Sequence, residues 1–254
     1  MTQPVSQDRF LECYRGGQGR LNHMAYLRLC KVFVILEALR RNRINLDGKR
    51  IFDYAFGAGT FFRYCPKSAH LSGVELDPLT VHEVSAALVA TGYRKVDLQA
   101  ISLESWREHP LLRQTFDVII CSHVLEHLEC PSELLTVLGQ CLSPEGILIA
   151  VVPINEIRAN PHHVQVANRA AMENWAASAG LRLSDYFECD RIGWAMQPLL
   201  ASNRGITHLL ARATSLAVGL PFSLLGLTAW RWKDAALRVL GIPASQACAV
   251  LRRN

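Results

Sequence analysis

The chain has 254 residues, half of them apolar, which suffices for one sizeable core without disulfides or metals as staples. Its eight cysteines are scattered without a C-x-x-C pair and its polar N-terminus lacks an apolar signal segment, so we expect a reduced, cytoplasmic protein. The net charge of +5 is too small to indicate nucleic-acid binding, but it is uneven: residues 1–50 carry +6, residues 51–190 carry −8 and residues 191–254 carry +7.

The first part of the chain is predicted to be helical. Apolar residues recur at helical spacing across residues 9–43, and three glycines within 16–19 divide this segment into two helices. Four polar residues stand near the start of the second helix: Gln18, Arg20, Asn22 and His23. They either cap the helix and face water or line a site, and the sequence leaves both interpretations open.

From residue 50 onward, strand and helix patterns alternate. We predict strands at 50–55, 71–77, 96–101, 116–121, 147–152 and 181–187, and helices at 79–91, 131–141 and 170–179. This alternation predicts a parallel sheet with helices on both faces. The fold class is therefore α/β, a Rossmann-like, seven-stranded and mostly parallel sheet.

The alternation of strand and helix patterns stops at residues 194–245. This segment is apolar, and its residues 213–230 carry no charge. Residues 246–252 then form the last predicted strand. We predict an N-terminal helical cap (1–48), a Rossmann-like domain (49–193), a helical apolar insertion (194–245) and the final strand (246–254). The insertion completes the core or a homodimer interface, roofs a pocket for an apolar acceptor, or docks peripherally on a membrane; a spanning helix is disfavoured by Pro221 and the marginal length.

A glycine turn follows the first predicted strand. Gly57 and Gly59 would let backbone N–H groups approach a ligand closely. Phe62 occupies the place of the third glycine in the dinucleotide-binding fingerprint, which argues against a bound pyrophosphate. A ligand with an adenosine half but no diphosphate fits this turn better.

Ligands in such sheets lie at the carboxyl ends of the strands. Glu75 ends the second strand, roughly 20 residues after the glycines, at the spacing of a carboxylate that accepts both ribose hydroxyls. Ile101 and Ser102 follow the third strand and could flank an adenine ring. A fourth group, residues 121–128, follows the fourth strand and contains two histidines and a glutamate.

These motifs resemble those of the class I S-adenosylmethionine-dependent methyltransferases, in the broad small-molecule group. Residues 53–59 (DYAFGAG) are similar to the first motif, D-x-G-x-G-x-G, and residues 73–77 (GVELD) to the acidic second strand. Residues 116–127 (FDVIICSHVLEH) are similar to the fourth-strand motif and carry the most specific likeness. Further likeness lies in the turn before the fifth strand and the segment after it, so that the resemblance spans roughly residues 48–190.

The sequence also departs from that family. Ala55 replaces the first glycine of the first motif, and Glu145 replaces a glycine in the later turn. No acidic residue stands at 101–102, where the family often contacts the adenine amino group.

The resemblance implies methyl transfer from S-adenosylmethionine by direct displacement, with the acceptor held in line and its proton removed by a base. Ten residues are then expected to bind the cofactor: Asp53, Ala55, Gly57, Gly59, Glu75, Leu76, Ile101, Ser102, Ser122 and His123. Three are catalytic candidates, His163, His127 and Glu126, with His163 first because its loop should overhang the pocket. We expect no metal, because Cys121 should point into the core, away from the other donors of a zinc-like set formed with His123, His127 and Cys130.

The acceptor is expected to be a small molecule, a sugar or an apolar, lipid-linked intermediate, and not nucleic acid. Two alternatives remain: a non-catalytic binding module that retains the cofactor fold, and an NAD-linked oxidoreductase, which Phe62 disfavours.

Overall fold

The computed structural model describes residues 23–157, 160, 162–200 and 205–254. Three of the four polar residues near the second predicted helix, Gln18, Arg20 and Asn22, lie outside these residues, as does the first predicted helix.

Seven strands form one sheet in the order β3-β2-β1-β4-β5-β7-β6. They are β1 (Arg50–Tyr54), β2 (His70–Glu75), β3 (Val96–Ala100), β4 (Phe116–Ser122), β5 (Leu142–Pro153), β6 (Leu181–Cys189) and β7 (Gln246–Arg253). Neighbouring strands from β3 to β5 pair in parallel, whereas β7 lies antiparallel to both β5 and β6. The predicted seven-stranded, mostly parallel sheet is therefore confirmed. The strand order reverses at β1 and β4, where ligands of such sheets lie.

The sequence placed the start of β5 too late. β5 begins at Leu142, which pairs with Phe116 before a register shift in β4. The turn expected at 143–146 is therefore part of the strand. Gly146 permits this path, because a Cβ there would lie 3.0 Å from the carbonyl oxygens of Phe116 and Ser143.

Helices cover both faces of the sheet, as predicted. They are α1 (Tyr26–Arg41), α2 (Pro78–Ala90), α3 (Pro131–Gln140), α4 (Arg169–Ser178), α5 (Arg191–Leu200) and α6 (Gly205–Val239). One buried cluster joins α1, α2, α5 and α6 to one face, and a second joins α3 and α4 to the other. The N-terminal helix and the insertion thus share a core with the sheet. The division of the chain into separate domains stays a prediction.

The insertion consists of α5 and α6. α6 packs against α1 and is interrupted at Gly226, whose φ of +70° is outside the helical range. Gly219 makes the approach to α1 possible, because a Cβ there would lie 2.6 Å from the Tyr26 backbone nitrogen and would also meet the Met24 carbonyl oxygen. The helical character predicted for the insertion is confirmed at residues 194–200 and 205–239, although the first of these helices begins at Arg191.

Phe62 has a structural role that explains the missing third glycine. It lies in a short 3₁₀ turn, Phe61–Tyr64, and its ring is fully buried. A Cβ added at Gly73 of β2 would lie 3.2 Å from Phe62 Cζ, 2.8 Å from Phe56 Cδ1 and 2.9 Å from the Asp53 carbonyl oxygen. The aromatic ring therefore packs directly on the bare backbone of β2, below the glycine turn.

Changing Gly73 to Ala should lower the free energy of unfolding by about 2 kcal/mol, because the methyl group overpacks this contact and one neighbour is backbone. Urea unfolding of the two proteins measures the effect. Gly139→Ala in α3 is the matched control, because its new Cβ meets only the flexible end of Leu181, at 3.0 Å, and it should change stability far less. Equal losses in the two variants would contradict the packing argument.

Candidate functional site

The glycine turn and Glu75 are in direct contact. The Glu75 carboxylate accepts one hydrogen bond from the Gly57 backbone N–H and one from the Leu76 backbone N–H, both at 2.7 Å. Gly57 and Gly59 have φ values of +53° and +63°, in the left-handed region that glycine adopts readily. The two parts that the sequence pairs, the turn and the carboxylate, therefore form one unit.

Ala55 takes the same backbone conformation, with a φ of +60°. This position explains why the family's first motif has glycine there, and the alanine costs roughly 1–2 kcal/mol of backbone strain. The departure from the motif therefore changes the stability of the turn but not its path.

Two acidic groups are buried together at this turn. Burial, and then the charge of Glu75, raise the pKa of Asp53 well above its ordinary value. Burial also raises the pKa of Glu75, although the N–H groups of Leu76 and Gly57 oppose that shift. Additional hydroxyl donors, such as those of a ribose, would stabilise the ionised form of Glu75.

The other expected cofactor contacts line the same edge of the sheet. The Ile101 backbone N–H donates to the Glu75 carbonyl oxygen at 2.9 Å, which places residues 101–102 beside Leu76. Ser122 ends β4, and its buried hydroxyl has no hydrogen-bond partner among the described residues. A buried, unpaired hydroxyl costs free energy unless a ligand supplies its partner. The arrangement fits a nucleoside held between the turn, Glu75 and Ser122.

His23 ties the start of the helical cap to the glycine turn. Its Nδ1 lies 3.0 Å from Thr60 Oγ1, and burial, followed by the charges of Arg63 and Arg28, lowers its pKa to about 4. A cavity of about 290 Å³ opens here, on the side of the turn formed by His23, Ala58 and α2. This contact favours the site interpretation for His23.

The three catalytic candidates converge although they come from two loops. Glu126 and His127 lie in a 3₁₀ turn after β4, and His163 lies in the loop after β5. The Glu126 carbonyl oxygen accepts hydrogen bonds from the backbone N–H groups of Val164 at 2.8 Å and Gln165 at 3.2 Å. These bonds hold the loops together and bring the His127 and His163 ring centroids within 4.9 Å.

The cluster around Glu126 has too few protons for its acceptors. The Glu126 side chain is 1% exposed, and among the described residues neither of its carboxylate oxygens makes a hydrogen bond of ordinary length. The nearest imidazole nitrogens are His123 Nδ1 at 3.5 Å and His127 Nε2 at 4.0 Å. Burial tends to raise the pKa of Glu126, but contact with His123 and His127 lowers it by more, so the carboxyl is ionised at neutral pH.

The histidine tautomers follow from the neighbouring groups. His127 Nδ1 donates to the His162 carbonyl oxygen at 2.9 Å, so its Nε2 carries a lone pair when the ring is neutral. Burial, then the charge of Lys31, lowers the pKa of His123 and keeps that ring neutral. A neutral His123 has one N–H for two acceptors, Glu126 and Gln246 Oε1 at 3.3 Å, so the cluster can take up one more proton.

His163 is oriented by a carboxylate. Its Nδ1 lies 2.7 Å from Glu156 Oε2, which requires the ring proton to be on Nδ1. Its Nε2 lies 3.0 Å from the Asn160 amide nitrogen. The Asn160 side chain must therefore move before His163 Nε2 can accept a proton from a ligand.

The donors that could share a metal ion differ from the set considered in the sequence. Donor atoms of Glu126, His127 and His163 all lie within 4.8 Å of one another. Cys121 is fully buried and Cys130 is exposed, so the two cysteines do not share one environment. The convergent set is the same cluster that we consider for proton transfer.

Sequence reasoning missed three residues near this cluster, Glu156, Gln246 and Lys31. Lys31 lies on α1, where burial lowers its pKa although the negative charge of Glu126 opposes that shift. A lysine on an amphipathic helix usually indicates a solvated face, and Gln246 is far away in sequence. Only Glu156, seven residues before His163, gave a local signal.

The fold and the turn define a class I S-adenosylmethionine-dependent methyltransferase fold, as the resemblance implied. The sequence matches the family model described as a methyltransferase domain over residues 26–197, more than half of the chain. The chain therefore belongs to the methyltransferase family.

Over 104 residues the chain is 31% identical to the ubiquinone biosynthesis O-methyltransferase of Dechloromonas aromatica (strain RCB), which covers 41% of this chain and 44% of that protein. This chain thus spans less than half the length of that relative. The protein of the same name from Pseudomonas fluorescens (strain SBW25) is 27% identical over 197 residues, which cover 66% of this chain and 79% of that protein.

Solved structures share the fold at low identity. A putative sarcosine dimethylglycine methyltransferase from Galdieria sulphuraria has a TM-score of 0.62 at 12% identity and covers 98% of this chain and 99% of its own. Coclaurine N-methyltransferase bound to N-methylheliamine and SAH also has a TM-score of 0.62, at 11% identity, with 95% and 80% of the two chains covered. These likenesses establish the fold alone.

Changing Glu75 to Gln should weaken the binding of S-adenosylhomocysteine about ten-fold or more, because the charged acceptor of the ribose hydroxyls is lost. Isothermal titration calorimetry measures the affinity. Asp97→Asn, at an exposed position on the adjacent strand β3, is the control and should bind like the parent protein. Unchanged affinity in the Glu75 variant would show that Glu75 does not bind the ribose hydroxyls.

The same affinity should depend on pH. Burial raises the pKa of Glu75 in the free protein, and hydroxyl donors favour its ionised form. Binding should therefore be strongest above that raised pKa and should weaken as the pH falls through it. Titrations across the acidic range test this, and a slope that persists unchanged in Glu75→Gln would assign the dependence to another group.

Proposed function

We propose that this protein is an enzyme that methylates a hydroxyl group of a small-molecule acceptor and uses S-adenosylmethionine as the methyl donor. The observation that carries this proposal is the proton-deficient cluster at Glu126, beside the carboxyl ends of the strands that hold the glycine turn. Membership of the methyltransferase family supports the choice of donor.

The cofactor contacts are assigned to the turn and the strand ends. The backbone of 55–59 would face the donor, Glu75 would accept from its ribose, and residues 101–102 would flank its adenine. Ser122 would gain the hydrogen-bond partner that it lacks. When bound, S-adenosylmethionine supplies a methyl group on a sulfonium, which needs no further activation.

The cluster receives the proton that the acceptor hydroxyl must lose. Glu126 is ionised and receives no hydrogen bond of ordinary length from any described residue, so an acceptor hydroxyl can donate to it directly. Either His123 or His127 then shares the proton with Glu126. His163, fixed by Glu156, lies against His127 and closes the same space from the other loop.

The acceptor is proposed to be an apolar molecule or one linked to a lipid. The similar proteins are named for O-methylation in ubiquinone biosynthesis, which supports oxygen as the methylated atom. The long apolar helix α6 supports a lipid partner, and a homodimer through the same helix is the competing expectation. A sugar acceptor finds less support, because no described feature beyond the cluster favours several hydroxyls.

Two experiments separate this proposal from its alternatives. Calorimetric titration with S-adenosylhomocysteine and with NAD distinguishes a methyltransferase from an oxidoreductase. Formation of S-adenosylhomocysteine with hydroxylated aromatic and prenylated acceptors distinguishes an enzyme from a non-catalytic binding module. Binding without turnover on every acceptor of this class would favour the module.

Changing Glu126 to Gln should lower kcat about 100-fold or more, the usual contribution of a positioned base, and leave the affinity for S-adenosylhomocysteine within about two-fold. Changing His163 to Ala should also slow turnover more than binding. His162→Ala is the control, because His162 is exposed and contributes its backbone carbonyl, which the variant keeps. If the Glu126 variant keeps the kcat of the parent protein, the cluster has no catalytic role. Activity abolished by EDTA and restored by a divalent cation would instead assign the cluster to a metal.

A further inference from the structure

The outer surface of α6 is apolar although the helix already buries an apolar inner surface. Its inner residues Val218, Phe222 and Leu227 pack on the core beside the buried Trp230. Its outer residues remain exposed: Leu220, Leu224, Leu225, Trp232, Val239 and, just beyond the helix, Leu240. We call these six residues the outer face of α6. A helix that is apolar on all sides needs a second apolar environment.

The exposure is large for so apolar a segment. Residues Ala213–Val239 are long and apolar enough to cross a membrane by composition, yet only 17% of their most apolar window is buried. Leu224 and Leu225 are 77% and 67% exposed and directly precede the break at Gly226. Both leucines are therefore exposed beside the break in the helix.

The charges around this face favour an anionic partner. Residues 191–254 contain eight lysines and arginines and a single acid, Asp234. That acid is paired with Arg191 at 2.8 Å, so it does not offset the other basic groups. Trp232 is 75% exposed and Arg238 is exposed beside Val239, whereas Arg231 pairs with Glu37 at 3.0 Å and Lys233 lies over the rings of Phe222 and Tyr26. An exposed tryptophan and an exposed basic residue on one apolar helix are typical of segments that lie in a membrane interface.

We propose that the outer face of α6 docks on an anionic lipid bilayer, with the helix lying in the interface. A second copy of this chain is the less favourable occupant, because two strongly positive segments would then face each other. A spanning helix would have to abandon the core, where Phe222 packs on Tyr26 with ring centroids 5.8 Å apart and Trp230 on Phe33 at 6.0 Å.

Docking would also bring the loop after β5, which leads to His163, towards the lipid. Gln197 of α5, the neighbour of α6, accepts a hydrogen bond from the Ile157 backbone N–H at 2.6 Å, in the loop that leads to His163. An apolar acceptor drawn from the bilayer would then meet the loop that leads to His163. This consequence rests on the proposed methyl transfer, whereas the docking itself does not.

Flotation of the full chain with phosphatidylcholine vesicles, with and without phosphatidylserine, tests the proposal. The protein should float with the phosphatidylserine vesicles, bind the neutral ones less, and be released by high salt or alkaline carbonate. The double change Leu224→Glu and Leu225→Glu should lower binding about ten-fold or more, because both side chains lose their apolar environment. Leu79→Glu with Val89→Glu on α2, two similarly exposed apolar residues, is the matched control and should bind like the parent.

Tryptophan emission gives a second, local measurement. It should shift to shorter wavelength with anionic vesicles, and Trp232→Phe should abolish the shift because the other four tryptophans lie outside this face. Circular dichroism and S-adenosylhomocysteine affinity should be unchanged in all variants, which separates a failure of docking from a failure of methyl transfer.

Four results would overturn the proposal. They are no flotation of the parent protein, equal flotation of the leucine double variant, retention in the membrane after carbonate, and a dimer in light scattering that the double variant dissociates. The last would assign the outer face to a second copy, and the third to a spanning helix.

Discussion

The buried carboxylate of Asp190 fixes how the helical cap and the insertion sit on the sheet. It is 1% exposed and accepts hydrogen bonds from Tyr26 Oη at 2.6 Å, Ser245 Oγ at 2.8 Å, Gln246 Nε2 at 2.8 Å and the Gly193 backbone N–H at 3.2 Å. These donors come from α1, α5 and the entry to β7. A buried charge with a full set of donors is tolerated, and removing any one leaves a costly gap. Three segments that are far apart in sequence therefore depend on one side chain.

Gln246 extends this network to the cluster around Glu126. Because its amide nitrogen donates to Asp190, its oxygen must face His123. The first residue of the last strand thus competes with Glu126 for the single proton of His123. The amide of Gln246 therefore links the cluster after β4 to the carboxylate that positions α1. His123 itself has a φ of +58°, a strained backbone of the kind that persists where surrounding contacts hold it.

The parts of this arrangement that sequence could predict are the local ones. Strand and helix patterns located all seven strands, and the buried parallel strand β4 is nearly the continuous apolar run expected at such a position. The contact of Gly57 with Glu75 follows from one strand and one turn, so motif spacing sufficed. The long β5 was missed because Leu142 pairs with Phe116 before a register shift, which no local pattern encodes.

The residues of the cluster around Glu126 could be named from the sequence, but their arrangement could not. The titratable side chains within residues 123–127 are visible in the sequence. The pairings of His163 with Glu156 and of His123 with Gln246, in contrast, depend on segments that meet only in the folded chain. Lys31 was missed because a helical lysine is ordinarily solvated. The outer face of α6 was visible as an apolar segment, but its exposure required knowing which side of the helix packs on α1.

Asp190 and Glu126 show how burial alone fails to distinguish structure from function. Each side chain is 1% exposed, so each loses the same solvation on folding. Asp190 recovers that loss through its four donors, whereas no described residue gives the oxygens of Glu126 a hydrogen bond of ordinary length. An unmade hydrogen bond to a buried charged group costs more than about 1–3 kcal/mol, so Glu126 weakens the free protein. The same deficit means that a ligand hydroxyl entering this space gains a bond that no protein group has to give up, which is the electrostatic condition for binding and deprotonating an acceptor at Glu126.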